Sequence, residues 1–345
     1  MPMRRVLLWL LSLLVIAPVA AAAQDLPDWV KRTKLSGLAF GDVYLMAANH
    51  NPALESANGL WFRRVYLTLD NQIAKEFTFR LRYEMNSAGD FRTSSTLNPY
   101  VKDLYLKWAR SNTQVLFGMV GTPTWDLAEG FWGFRDVEKT PLDLQKLGSS
   151  RDVGIQAKGW IDSKGKVSYT LMLGQGTDTK SETNKGKKGY VALAFRPVKG
   201  LVAEVYADKE ELPGARDRYV VQGLLGYEGA WGRVGVLAAR QHRQLSDTTA
   251  IDLDVMSAFL VAKVSPKVKV LGRVDRMFNP NPDGATISYL PFDPKAKSML
   301  VMGGLDVELD ARFHLIPNIQ VVLYDGVTPK PSNDLMLRTT FSITF

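Results

Sequence analysis

Between Phe62 and Glu84 apolar and polar residues alternate through two successive runs. Val65, Leu67 and Leu69 are interleaved with Arg64, Tyr66, Thr68 and Asp70. After Asn71 to Lys75 the pattern resumes, with Phe77, Phe79, Leu81 and Tyr83 set against Thr78, Arg80, Arg82 and Glu84. A strand sends successive side chains to opposite faces, so each run predicts one apolar and one polar face. The polar face is dense in Arg and Glu, whereas the other is almost wholly aromatic and aliphatic. A closed sheet in a membrane needs that combination, with lipid outside and water inside.

The pattern recurs along the chain. It predicts strands over Leu35 to Ala48, Lys102 to Ala109, Gln114 to Val120, Asp152 to Ile161, Val167 to Gly174, Tyr190 to Arg196 and Leu201 to Asp208. Further strands are predicted over Tyr219 to Glu228, Arg233 to Arg240, Ile251 to Val264, Val268 to Arg276, Met299 to Val307, Asn318 to Asp325 and Leu335 to Phe345. In the tenth and twelfth strands both faces are apolar, and the pattern does not say which faces inward. Connections of two kinds alternate strictly. Short ones lie at 71–75, 110–113, 162–165, 197–200, 229–232, 265–267 and 310–317, and long ones at 49–58, 88–99, 121–151, 175–188, 209–218, 241–250, 277–298 and 326–334. Outer-membrane barrels have this asymmetry between periplasmic turns and outer loops. Pro197, Pro266 and Pro317 are placed in short turns and no proline is placed inside a strand. The expected fold is therefore all-β: a closed antiparallel transmembrane barrel of 16 strands over residues 35–345, with a water-filled bore. Fourteen or eighteen strands stay open, through the first strand and the 310–317 connection.

The start of the chain reads as an address. Met1 to Arg5 is basic, Val6 to Val19 is almost wholly apolar, and Ala21-Ala22-Ala23 fits a cleavage site, so residues 1–23 are expected to be a signal peptide and 24–34 a short periplasmic segment. No other stretch approaches the roughly 20 apolar residues of a helical span. Only Arg4 and Arg5 of the 43 basic residues lie in that leader, so against 35 acidic residues the remainder carries +6. The excess is spread along strand faces rather than gathered with aromatics into a patch, which argues against a nucleic-acid partner and for an anion-friendly surface. With no cysteine, neither disulfides nor thiolate metal sites are available. His50, His242 and His314 show no convergence, so no metal site and no cofactor is expected.

Lys102 to Leu106, Phe117 to Pro123 and Arg151 to Ile155, spaced as they are after the opening hairpin, resemble the phosphate-selective porin family. Asp103 and Tyr105 stand at its Asp-x-Tyr strand, Gly118 and Pro123 at the start of its third loop, and Arg151, Val153 and Gly154 at the end of that loop. The likeness covers about residues 60–160. It implies a homotrimeric sixteen-stranded channel with an inward-folded third loop. The family's dense arginine ladder and lysine cluster are not placed in this chain, so its phosphate sites are not carried over.

Residues 121–151 form the longest connection, and a loop of such length is usually functional. Trp125, Phe131, Trp132 and Phe134 would pack it on the wall, leaving Arg135, Lys139, Lys146 and Arg151 to line a constriction, with Asp126, Glu129, Asp136, Glu138 and Asp143 nearly neutralising it. On the wall, parity assigns Arg64, Arg80, Arg82, Lys107, Lys158, Arg196, Arg273 and Arg338 inward, together with Asp70, Glu84, Asp103, Glu204, Asp275 and Asp306. Arg64, Arg80 and Arg82 outnumber their nearest acids, Asp70 and Glu84, and form the candidate anion-attracting stripe. Leu337, Thr339, Phe341, Ile343 and Phe345 share one face and end on a terminal phenylalanine, the form of a signal read by the barrel-assembly machinery. Lys180, Lys185, Lys187 and Lys188 make the fourth loop basic, a site for outer-membrane lipid or lipopolysaccharide phosphates or simply a solvated loop. The expectation is a porin in a Gram-negative outer membrane, passing small hydrophilic solutes with a preference for inorganic anions such as phosphate. The alternative is a barrel enzyme of lipase or protease type, which would need a histidine beside an acid and a nucleophile; no such spacing appears.

Overall fold

The computed structural model describes residues 27–94, 96–214 and 216–345; the leader expected over 1–23 lies outside them. One helical turn, α1 (Asp28–Lys31), precedes the strands β1 (Thr33–Ala48), β2 (Asn58–Ala74), β3 (Phe77–Asn86), β4 (Asn98–Arg110), β5 (Thr113–Gly121), β6 (Arg151–Trp160), β7 (Val167–Gly174) and β8 (Lys188–Phe195). They continue as β9 (Leu201–Glu210), β10 (Arg218–Gly229), β11 (Gly232–Gln244), β12 (Ala250–Ser265), β13 (Val268–Met277), β14 (Lys297–Asp310), β15 (Phe313–Asp325) and β16 (Asp334–Thr344). Each pairs antiparallel with its sequence neighbours, and β16 pairs with β1, closing the barrel. Closure satisfies every edge, as a bilayer requires. Gly37 and Phe345 exchange backbone hydrogen bonds of 2.7 and 3.1 Å at the seam.

The outer face carries the exposed apolar side chains: Leu67 and Tyr83 of the opening hairpin, then Leu104, Phe117, Ile155, Leu171, Leu225, Val236, Leu260, Ile319 and Leu337 around the wall. On the opening hairpin Val65, Leu67 and Leu69, and Leu81 and Tyr83, are spaced by two, so a one-residue slip there would bring Thr68 and Arg82 outward.

Several connections differ from the sequence expectation. β4 begins at Asn98, so Pro99 lies inside that strand, and β8 begins at Lys188, which is buried in the wall and not in the fourth loop. The turn after β14 is 311–312, and Pro317 lies inside β15, outward and exposed. The β14–β15 pairing runs from Val307 opposite Leu315 to Gly304 opposite Asn318, with no partners assigned to Ile316 and Pro317. The missing N–H of proline falls in that gap, so the strand tolerates it. The sixth long connection contracts to 245–249, because β11 and β12 extend to Gln244 and Ala250, and it is no longer than the 196–200 turn. Arg196 accordingly begins that turn, donating to Ser168 at 3.0 Å.

The apolar core lies inside the barrel. Residues 122–150 form α2 (Pro123–Trp132), begun by a proline that needs no N–H partner and ended by Gly133 at φ 69°, and a single turn α3 (Pro141–Leu144). Trp125, Ala128, Leu142 and Leu147 are buried with the inward-facing Met172, Tyr206, Val220, Leu224, Leu237, Leu253 and Val255. Trp132, Phe134, Val137 and Leu144 join a second cluster with Phe259, Leu271, Leu300, Ile316 and Met336. That packing explains why the tenth and twelfth strands are apolar on both sides: one face points outward, the other meets the third loop.

Candidate functional site

Two β-bulges shape the polar side of the lumen. In the β1–β2 ladder Phe40 pairs with Arg64 and Gly41 with Phe62, which leaves Arg63 as the extra residue. In the β3–β4 ladder Arg82 pairs with Asp103 and Tyr83 with Val101, which leaves Lys102 extra. A bulge turns two consecutive side chains to one face. Arg63 and Arg64 therefore both project inward and are buried, as do Lys102 and Asp103. A Cβ on Gly41 would lie 2.0 Å from the Trp61 carbonyl oxygen, so the first bulge depends on glycine there. Strict parity missed Arg63 and Lys102. The signal was the doubled polar residue, Arg63-Arg64 and Lys102-Asp103, inside otherwise alternating runs.

Between this wall and the third loop is a cavity of about 250 Å³, lined by Ser36, Leu38, Tyr66, Thr68, Arg82, Lys102, Glu129, Arg135 and Arg151. Its charges are organised around shared carboxylates. Glu84 lies 2.7 Å from Arg64 Nε and accepts from Lys102 Nζ at 2.5 Å. Asp103 lies 3.3 Å from Arg82 Nη1 and also accepts from Arg151 Nε. Asp143 lies 3.2 Å from Arg135 Nη2 and 4.0 Å from Lys139 Nζ. Glu129 adds a contact of 3.1 Å to Arg135 Nε. In this ion-pair cluster six cations thus meet four carboxylates.

On the loop, burial pushes the Lys139 ammonium down to about 8, although Asp143 opposes the shift. Burial also lifts the Glu129 carboxyl above its ordinary range, against the pull of Arg135. Asp143 goes the other way: burial would raise it, but Arg135 and Lys139 together hold it low.

The arginines of the opening hairpin are each paired. Arg80 holds Asp70 bidentately at 2.7 and 2.8 Å, Arg64 holds Glu84, and Arg82 takes its acid from β4. Asp103 was the acid missing from the stripe reckoned on the hairpin alone, so the three arginines do not outnumber their carboxylates. Lys107 sits opposite Thr78 near the turn end. Lys158 lies 3.4 Å from Asp126. Arg273 pairs with Asp275 at 2.5 Å and lies over the Trp132 ring, and Arg338 reaches Glu138 at 3.2 Å; both are buried beneath the third loop, away from the passage. Of the loop cations, Arg135 lines the cavity with Arg151, Lys139 stands behind it against Asp143, and Lys146 is tied to Thr286. Arg63 anchors the loop to the wall, pairing with Asp42 at 2.8 Å and donating to the carbonyls of Asp136 and Val137.

The three histidines each meet a carboxylate: His50 meets Asp334, His242 meets Asp252 and His314, on β15, meets Asp306. Their other hydrogen-bond partners are Tyr324 for His50 and Gln244 for His242.

No family model and no curated protein matches the chain. Solved structures do. An anion-selective porin from Comamonas acidovorans is 14% identical with a TM-score of 0.64, over 91% of this chain and 99% of that one. OmpF of Salmonella typhi, solved in complex with daunomycin, is 10% identical with a TM-score of 0.67, over 91% and 97%. OprB of Pseudomonas putida is 12% identical with a TM-score of 0.66, over 92% and 95%. The architecture of this chain is thus that of the outer-membrane porins, a sixteen-stranded antiparallel barrel.

Proposed function

We propose that this chain is an outer-membrane porin, a channel for passive diffusion of small hydrophilic solutes with a preference for anions. The observation that carries the reading is the ion-pair cluster around the cavity beside the third loop, where three carboxylates are each shared by two cations. Pairing fixes the side chains without cancelling their charge, and a cationic ring favours anions. Phosphate is one anion of suitable size. Because every cation of the ring already holds a carboxylate, phosphate should pass without tight binding. Cleavage after residue 23, assembly as a homotrimer in the outer membrane of a Gram-negative bacterium, contact with lipopolysaccharide, and recognition of Phe345 by the assembly machinery belong to the same reading. The barrel-enzyme alternative is not favoured, since the histidines reach carboxylates, a tyrosine and a glutamine rather than a serine or threonine nucleophile.

Purified protein in a planar bilayer tests the proposal. Stepwise conductance without any cofactor, with a reversal potential under a KCl gradient that reports chloride above potassium, is the expected result. A silent bilayer refutes the channel, and a cation-selective potential refutes the anion preference. Phosphate added to KCl should leave chloride current nearly unchanged; strong inhibition would show a phosphate-binding site.

A further inference from the structure

Residues 278–296, between β13 and β14, also enter the barrel. Ile287, Leu290 and Phe292 are buried among Met46, Leu300, Met302, Ile316, Tyr324 and Met336, inward-facing residues of β1 and β14–β16. The same cluster takes in Trp132, Phe134 and Leu144 of the third loop. At its far reach Tyr289 donates its backbone N–H to the Gly89 carbonyl at 2.7 Å and its hydroxyl to the Ser87 carbonyl at 2.7 Å. Arg64 Nη1 lies 3.2 Å from that hydroxyl. Ser87 and Gly89 follow β3, so the segment spans the lumen as a chord over β15, β16, β1 and β2. Tyr289 holds φ at 71°, a left-handed conformation that a bulky residue adopts only where its surroundings impose it. Lys146 Nζ reaches the Thr286 carbonyl and hydroxyl at 2.7 Å each, and Asn281 Nδ2 reaches the Gln145 carbonyl at 2.8 Å. The two inserted loops are thus braced together.

We infer that loop 278–296 is a second pore-filling element that sets the size limit of the channel. The third loop fills the sector along β7–β13, and loop 278–296 roofs and fills the sector along β14–β16. Solute is left with the eccentric passage beside β1–β4, past Arg82, Lys102, Arg135 and Arg151. Without the second loop a wider and less basic path would open alongside it. This inference rests on the porin reading.

The chain has no cysteine, so introduced pairs are unambiguous. A Cβ on Gly89 would point at the Tyr289 ring, 2.5 Å from its nearest atom. Gly89→Cys with Tyr289→Cys should therefore form a disulfide on oxidation in the folded barrel. Replacing residues 284–292 by a short Gly-Ser linker should raise conductance about twofold, as a second path of similar bore would, lower the anion-to-cation ratio, and admit larger sugars in liposome swelling. Tyr289→Ala, which keeps the loop, should shift all three readings in the same direction by less; it supplies the test should the linker variant fail to fold. Failure of the cysteine pair to join, or unchanged conductance and sugar exclusion in the variants, overturns the inference while the parent still conducts. If the cysteine pair joins but the parent protein never conducts, the porin reading falls, and this one with it.

Discussion

Removing one negative charge from the passage should make it more anion-selective by a calculable amount. Asp103 is the sharpest place to do so, because it lies between Arg82 and Arg151 and is buried from bulk water. Asp103→Asn keeps the shape and an oxygen to accept from the arginines, and raises the formal charge around the passage by one. For a monovalent ion about 5 Å away in a water-filled passage, Coulomb's law with a dielectric near 80 and a Debye length of about 10 Å leaves roughly 0.5 kcal/mol. That favours the anion about twofold and disfavours the cation about twofold, so the permeability ratio should rise about fivefold in 0.1 M salt. In 1 M salt, where the Debye length is about 3 Å, the change should be less than about twofold. Reversal potentials under KCl gradients at the two ionic strengths measure both numbers. A ratio that falls, or that rises equally at both salts, would refute the argument, since it would mean that Arg82 and Arg151 had moved out of the passage once their shared carboxylate was neutralised.

Other predictions follow from the same structure. Lys139, pushed down to about 8, is charged at pH 6 and largely neutral at pH 9, so the anion-to-cation ratio should fall across that interval, and Lys139→Gln should flatten the dependence. Trp132→Ala removes a side chain only 2% exposed at the junction of the third loop and the wall, and should cost about 3–5 kcal/mol, read as a lower thermal transition together with noisier open-channel current. Phe345→Ala removes the outward ring beside Gly37 but keeps the backbone hydrogen bonds of the seam; it should slow insertion, leaving protein in the periplasm, and normal surface levels would count against Phe345 as an assembly signal.

The barrel was legible in the chain because alternation is a local property with a period of two. Val65, Leu67 and Leu69 declare their face without reference to any distant residue, and the long and short connections declare the two ends. What the alternation could not supply was everything that depends on a second segment meeting the wall. Leu224, Leu237 and Val255 look like lipid-facing residues on the wrong side until Trp125 and Leu142 are brought against them. Arg82 looks unpaired on its hairpin until β4 brings Asp103 beside it, and Arg338 looks like a pore charge until Glu138 covers it. Arg63 and Lys102 enter the lumen only because bulges break the parity rule, and a bulge is settled by the register of two strands together. The course of residues 278–296 has no periodic signature at all. Its Pro, Asn, Asp and Gly residues read as ordinary turn chemistry, and the burial of Tyr289, Leu290 and Phe292 follows from how far they reach across the barrel. Strand identity thus came from sequence-near periodicity, whereas the position, width and charge of the passage came from contacts between segments far apart in the chain.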